Sequence, residues 1–480
     1  MYSACDGNQN EKTDGKIAMS FSLVPAKELG ITVHRVNVRL EGPSNSEMDL
    51  TLSDDNTTAE GELTGLPPGT YTVFLTLYNV DSDTVGFGSD DIEVKAGEIT
   101  DVDMNITLYS TTGGIRFNIT WNTGGPKLPA VPYDYAGAIA NMPAYLKNYL
   151  TANPTVDNTP NDNLLTNDGA TLGRVLFYDK AMSVNNTISC GSCHHQDKAF
   201  VDGGAVSTGF EGGHTRRNSM PLTNVRFFKA KAMFWDMRAV TLETQALLPI
   251  TDPVEMGMPS LEALVDKLKT KPYYPALFEK AFGTQDITAD RISKALAQFL
   301  RSIVSFNSKY DQGLDNNLAN LTDQEKNGLL SFQQLNCVEC HSDLSTIFPR
   351  KNPTMFIVEN SGLNTGFGSN NALDVTYADN GIGERTNEAK DMGTFKMPAL
   401  RNIELTAPYM HDGRFATLED VLDHYQTGAK NHPNRGIQIP SGGYGTSVLT
   451  EQKKADIIAF LKTLTDQSFI NDPKYSDPFK

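Results

Sequence analysis

The chain has 480 residues, of which 39% are hydrophobic, and carries a formal net charge of −17. That length suits about three domains of ~150 residues with real cores; the acidity argues against nucleic acid or anionic lipid as partners and makes a basic redox partner the easier match. No run of about 18 apolar residues exists that could span a bilayer.

The chain opens Met1-Tyr2-Ser3-Ala4-Cys5-Asp6, without the charged and apolar regions of a signal peptide. Small residues before a cysteine, with a polar tail behind it, resemble the end of a bacterial lipoprotein signal. We therefore expect residues 1–14 to be a flexible N-terminus, with Cys5 as a lipidated anchor on an outer-membrane lipoprotein facing the periplasm or exterior. The plain alternative is a stray cysteine near a terminus.

Residues 15–121 alternate apolar and polar, with β-branched runs between turn signals. Strands are predicted over 16–23, 32–40, 71–78, 91–95, 101–108 and 114–121, and Leu66-Pro67-Pro68-Gly69-Thr70 is a turn feeding one of them. Several short strands without helical periodicity predict an antiparallel, all-β sandwich. In architecture the segment resembles immunoglobulin-like or transthyretin-like domains, and its expected role is spacer or docking module. Residues 122–135, rich in Gly and Pro, read as a linker.

Beyond the linker the period becomes helical: 138–150, 170–178, 261–269, 287–306, 322–335, 417–425 and 450–464, with caps such as Thr322 with Glu325. Long glycine-rich loops such as 360–383 separate them, and a large cofactor that supplies core gives such loops a purpose. Two mostly α-helical cytochrome c-type domains are expected, 136–315 and 316–480.

Cys190-Gly191-Ser192-Cys193-His194 and Cys337-Val338-Glu339-Cys340-His341 each read as a c-type haem attachment site. The cysteines form thioethers to the haem, and His194 or His341 becomes the proximal iron ligand. The competing reading is a four-cysteine zinc site, whose pairs usually lie about 15–20 residues apart, or disulfides. A whole domain separates Cys193 from Cys337, and zinc leaves both histidines unexplained. Haem attachment of this kind takes place outside the cytoplasm.

Further residues carry a resemblance. Leu172-Gly173-Arg174-Val175-Leu176-Phe177-Tyr178-Asp179 leads into the first motif, and Ala199-Phe200-Val201-Asp202 follows it. Arg217-Asn218, Phe234-Trp235-Asp236-Met237-Arg238, Leu242-Glu243-Thr244-Gln245 and Pro253-Val254-Glu255-Met256-Gly257 complete the first half. The second half holds Pro398-Ala399-Leu400-Arg401-Asn402 and Thr406-Ala407-Pro408-Tyr409-Met410-His411-Asp412-Gly413. Over about 164–465 the chain resembles the bacterial diheme cytochrome c peroxidase family, including its MauG-type branch.

The resemblance implies that the first haem, on His194, meets hydrogen peroxide. Glu255 and Gln245 match the distal acid/base carboxyl and its neighbouring amide, and Trp235 the tryptophan between the haems. Asn218, with the backbone carbonyls of Thr406 and Pro408, matches a calcium site. Independently, a carboxylate in an apolar setting such as Val254, Met256 and Met258 can be tuned to move a proton between the peroxide oxygens. As bare sequence, Glu255 reads as a helix-start carboxylate, Trp235 as core and Asn218 as a loop residue.

The resemblance also implies a far ligand to the second haem. Ordinary peroxidases of this family place a methionine where this chain has Tyr425; the MauG-type branch has a tyrosine there. A phenolate favours oxidised iron where a thioether opposes it, so oxidising equivalents are expected to be shared between the haems. Met397, Met410 and His424 are the alternatives. His214, in the loop after the first motif, is read as an ordinary loop histidine rather than a cap on resting iron.

The expected function is a diheme peroxidase that passes oxidising equivalents to a small cytochrome or other donor, or to a protein substrate. A reductant-driven peroxidase for detoxification is the nearer alternative. A plain electron-transfer diheme cytochrome, or a surface binding protein working through the β-domain, are the others.

Overall fold

The computed structural model describes residues 15–23, 26–27, 31–54, 56–94, 99–100, 104–108, 117–121, 125–129, 131–138, 142–152, 154–227, 232–271, 273–341 and 368–480. Cys5 and part of the glycine-rich 360–383 loop lie outside them. The chain forms two compact units, one running to Tyr133 together with Pro478–Lys480, the other Asp134–Asp477.

In the first unit, strand β6 (Gly69–Tyr78) buries Tyr71, Val73, Leu75 and Leu77 and turns the residues between them outward, the period-2 pattern of a half-buried strand. It sits in a six-stranded sheet of order β10-β9-β7-β6-β2-β3, formed with β2 (Arg35–Glu41), β3 (Ser46–Asp49), β7 (Thr84–Val94), β9 (Met104–Leu108) and β10 (Phe117–Trp121). A second sheet, β4-β5-β1-β8, comprises β1 (Gly15–Ser22), β4 (Thr51–Leu52), β5 (Thr58–Leu66) and β8 (Ile99–Thr100). Ile17, Met19 and Leu63 from this sheet share one core with Val36, Val38 and Leu75 from the other. Pro67-Pro68 therefore crosses between sheets, and the Tyr71 hydroxyl closes that corner by donating to Pro67 O at 2.9 Å. The ladders are antiparallel except for β1 with β8, which is parallel. β5, with Gly61 and three acidic or glycine neighbours, has little strand propensity of its own and forms through its pairing with β1.

In the second unit, two pairs of crossed helices repeat one device. Asn167–Tyr178 crosses Ala289–Ser302, where a Cβ on Gly173 would collide with the Ala295 carbonyl and approach Phe299 Cβ to 2.8 Å. Asp323–Gln334 crosses Glu451–Lys462, where a Cβ on Gly328 would collide with the Asp456 carbonyl and approach Phe460 Cβ to 2.7 Å. Only glycine lets backbones approach so closely. One turn later the aromatics meet, Phe177 with Phe299 at 5.3 Å and Phe332 with Phe460 at 6.0 Å. Each pair then backs onto its histidine, Phe177 to His194 at 6.4 Å and Phe332 to His341 at 6.5 Å.

Two further helices, Leu242–Thr251 and Tyr274–Phe282, lie where sequence periodicity gave no helix, because Pro249 and Pro275 interrupt the pattern. Both start at positions where proline or a Thr cap is tolerated. Two buried Arg–carboxylate pairs account for resemblance motifs without chemistry of their own. Arg401 grips Asp311 with two bonds of 2.6 Å, and Arg301 holds Glu243 at 2.6 Å, which fixes the helix bearing Gln245.

Candidate active site

A cavity of about 470 Å³ opens in the second unit, and Cys190, Cys193, His194, Trp235, Gln245 and Glu255 all stand in its wall. That volume falls in the range of about 300–1,000 Å³ usual for small-molecule and cofactor sites. His194 Nδ1 faces Phe200 O at 2.7 Å, which keeps the proton on Nδ1 and leaves Nε2 its lone pair for a metal. Ala199 and Phe200 take left-handed backbone conformations that turn this carbonyl toward the ring. His341 repeats the arrangement, with Nδ1 at 3.1 Å from Pro398 O. Burial lowers the pKa of both imidazoles, so both are neutral donors.

The described cysteines 190, 193, 337 and 340 are not joined in disulfides, and no cluster of three or more His, Cys, Asp or Glu able to hold a metal ion occurs among the described residues. Burial pushes the Cys190 and Cys337 thiols up to about 12 and the Cys193 thiol up to about 11. A thiolate is disfavoured there, while an uncharged thioether suits the setting. The residues present therefore fit a covalently attached haem at each motif.

Glu255 sits on a tightly held loop. Asp252 Oδ1 accepts from Val254 N at 2.8 Å and Glu255 N at 3.1 Å, and Phe210 N donates to Glu255 O at 3.1 Å. Gly257, at φ +69°, ends the loop where a side chain would run into Phe210. Burial raises the Glu255 carboxyl to about 7, the Asp252 carboxylate adds to that, and the Arg238 guanidinium opposes it. Gln245 follows the Thr241 cap, whose side chain accepts from Thr244 N.

Trp235 donates from Nε1 to Asn218 O at 2.9 Å and packs on the Leu373, Tyr377 and Phe395 cluster. Arg217 anchors the same junction through Asp236 at 2.6 Å and Asp379 at 2.7 Å. Asn218 N donates to His411 O at 2.8 Å, and its Nδ2 donates to Gly204 O and Ala205 O. Thr406 is buried beside the cis Ala407–Pro408 peptide. His214 is exposed on the cavity wall, its Nδ1 at 3.4 Å from Thr208 Oγ1.

At the second motif, helix Leu418–Asp423 runs into a π turn, His424–Gly428, that carries Tyr425. Such turns are rare and concentrate at functional sites. Its carbonyls are taken up by a glycine loop, Tyr444 N donating to Tyr425 O at 2.9 Å and Gly445 N to Gln426 O at 2.7 Å. Burial raises the Tyr425 phenol, and Cys340 and Cys337 lie close enough to add to that. Of the alternatives, His424 Nε2 is bound to Asn371 O at 2.8 Å and Met410 S accepts from Asn371 Nδ2 at 3.1 Å. Met397 is buried. Sequence reading missed Asp252 and Arg238 beside Glu255. It also missed Tyr444, which is close to Cys337 and Cys340 and has its hydroxyl 2.6 Å from Leu335 O. The only sequence signal for Tyr444 was its setting among Gly442, Gly443 and Gly445.

The profile of the family described as di-haem cytochrome c peroxidase matches residues 167–319. The methylamine utilization protein MauG of Methylorubrum extorquens is 32% identical over 307 residues, 64% of this chain and 80% of that protein. The cytochrome c551 peroxidase of Nitrosomonas europaea is 34% identical over 303 residues, 62% of this chain and 80% of that one. A solved structure, titled as a MauG-like protein associated with microbial copper homeostasis, aligns at TM-score 0.59 and 34% identity, covering 71% of this chain and 99% of its own.

Proposed function

The chain belongs to the di-haem cytochrome c peroxidase and MauG family, whose members are oxidoreductases that act on hydrogen peroxide, and from that premise we propose that peroxide reacts at the His194 site with Glu255 as proton carrier. A haem held by Cys190, Cys193 and His194 would supply the redox chemistry that peroxide reduction needs. Glu255 takes the proton from the inner oxygen and returns it to the outer one, so that water leaves. Gln245 orients the peroxide by hydrogen bonding, and the apolar wall keeps bulk water from competing for the proton. Two protons and two electrons complete the conversion of peroxide to two waters.

The single observation that carries this reading is a carboxyl held near 7 in the cavity that also contains Cys190, Cys193 and His194. It also weighs against a plain electron-transfer cytochrome, which has no use for a tuned acid. The test is the rate of the Soret change when ferric protein meets peroxide. Glu255→Gln should slow it by about 10²–10⁴-fold; an unchanged rate sinks the assignment.

In the proposal Trp235 carries electrons from the second site, where His341 and Tyr425 would hold the haem iron. The closeness of Tyr425 to both cysteines supports it over His424 and Met410, which are committed to Asn371. A phenolate there favours the MauG-like sharing of oxidising equivalents, with delivery to a partner protein, over reductant-driven detoxification. Calcium is proposed on the Asn218 amide oxygen with the Thr406 and Pro408 carbonyls, an all-oxygen set that suits it. Residues 136–315 and 316–480 are proposed as one cytochrome c-type domain per haem. The first unit is proposed as an immunoglobulin- or transthyretin-like spacer, a reading that the Tyr71–Pro67 corner supports. A periplasmic setting, with Cys5 as a lipid anchor, completes the proposal; no helix among the described residues is long and apolar enough to cross a membrane.

A further inference from the structure

Near the first haem motif three polar groups meet that the peroxide reaction does not use. Asp179, buried at the C-terminal end of the Asn167–Tyr178 helix, accepts through Oδ2 from Tyr273 at 2.7 Å and from Tyr274 at 2.6 Å. Its other oxygen accepts from Ala181 N at 2.7 Å. The Tyr273 and Tyr274 rings stand 4.7 Å apart. Tyr274 is fully buried and lies close enough to Cys190 for the two to feel each other's charge, while Tyr273 is half-buried. The Tyr178 ring packs against Gly191, between the motif cysteines.

A buried phenol cannot lose an electron and keep its proton, because the resulting cation would be stranded in an apolar setting. It needs a base in hydrogen-bond contact. Tyr178, Tyr409, Tyr444 and Tyr475 donate to backbone carbonyls, which do not hold a proton. Tyr273 and Tyr274 donate to a carboxylate, which does.

We propose that Tyr273, Tyr274 and Asp179 form a proton-coupled redox station that holds one oxidising equivalent from the first haem site when no electron donor is present. Tyr274 gives one electron to the oxidised haem site and its phenolic proton to Asp179 Oδ2. The tyrosine O–H bond breaks, an O–H bond forms on Asp179, and the haem site is reduced by one equivalent. Hydrogen peroxide is the oxidant. The adjacent Tyr273 ring then offers an outward step toward the surface, so that the equivalent leaves without attacking the cavity lining. This inference rests on the reading of the His194 site as the one that meets peroxide.

The test is freeze-quench electron paramagnetic resonance of the ferric di-haem holoprotein, mixed with one equivalent of peroxide and no donor, while the Soret band is followed. A tyrosyl signal that narrows when the protein carries ring-deuterated tyrosine is expected. It should be lost in the Tyr273→Phe/Tyr274→Phe double variant, which removes only two hydroxyls, and in Asp179→Asn, which keeps the shape but not the base. If Asp179→Asn does not yield holoprotein, the double variant decides alone. A Soret change without a tyrosyl signal in the parent protein, or a signal that survives in the double variant, overturns the station and leaves the peroxide site standing. No Soret change in the parent protein overturns both.

Discussion

The two Cys-x-x-Cys-His motifs are backed by one scaffold and differ in the residues gathered around them. In each, a glycine lets two helices cross, phenylalanines one turn on meet and back the histidine, and a backbone carbonyl fixes the imidazole proton. Around His194 the chain builds a cavity with a carboxyl raised to about 7. Around His341 it brings a phenol on a π turn toward the cysteines. The backing helices are alike at the two motifs, and the loops gathered around each histidine are what differ.

The comparison breaks most visibly with pH. If the Glu255 carboxylate is the base, the peroxide rate should rise about tenfold per unit as pH approaches about 7 and level off above it. A stopped-flow profile flat between pH 5 and 8 would remove the distinction between the halves. The same raised carboxyl makes a stability prediction of definite sign. The neutral form contributes stability that is present below the unfolded value of 4.5 and is lost as pH rises through about 7. Glu255→Gln should therefore flatten the fall in melting temperature across that window.

If the scaffold is truly shared, Gly173→Ala and Gly328→Ala should cost alike, about 1–3 kcal/mol each from overpacking. Thermal melts read at the haem bands would show it. A cost in only one half would mean that only one crossing is close enough to matter. At the second site, Tyr425→Phe should change the low-spin resonance signal of that haem and raise its potential, because an anionic oxygen is withdrawn; an unaltered signal assigns the ligand elsewhere. The smallest effect is expected from chelating calcium, a few degrees in melting temperature at most for a bound ion lost, measured by calorimetry with and without added Ca²⁺.

Much of this was legible beforehand where chemistry demands a fixed spacing. The Cys-x-x-Cys-His motifs, the cap at Thr322 with Glu325 and the helix at Leu261–Lys269 stand as the residues dictate. The strands at Thr58–Leu66 and in the first part of Thr84–Val94 were not legible. Gly61, Gly86, Gly88 and paired acids carry no strand preference, and only pairing with neighbours orders them. The repeated Gly-x-x-x-Phe of Gly173–Phe177 and Gly328–Phe332 is visible in the sequence, yet its meaning needs the partner helix. The raised carboxyl of Glu255 depends on Asp252 and Arg238, and the sequence around Glu255 does not say that Arg238 folds back to it.

The helix crossings also bear on how the chain reaches its fold. Gly173 meets Ala295, and Gly328 meets Asp456, each across well over a hundred residues of intervening chain. Gathering a loop of that size costs about 4 kcal/mol in closure entropy, and contacts so distant in sequence form slowly. Both cysteine motifs lie inside those loops. A covalently fixed haem would give the loop an apolar body to condense on. With a haem attached first, the glycine crossings would be the clasps that close last.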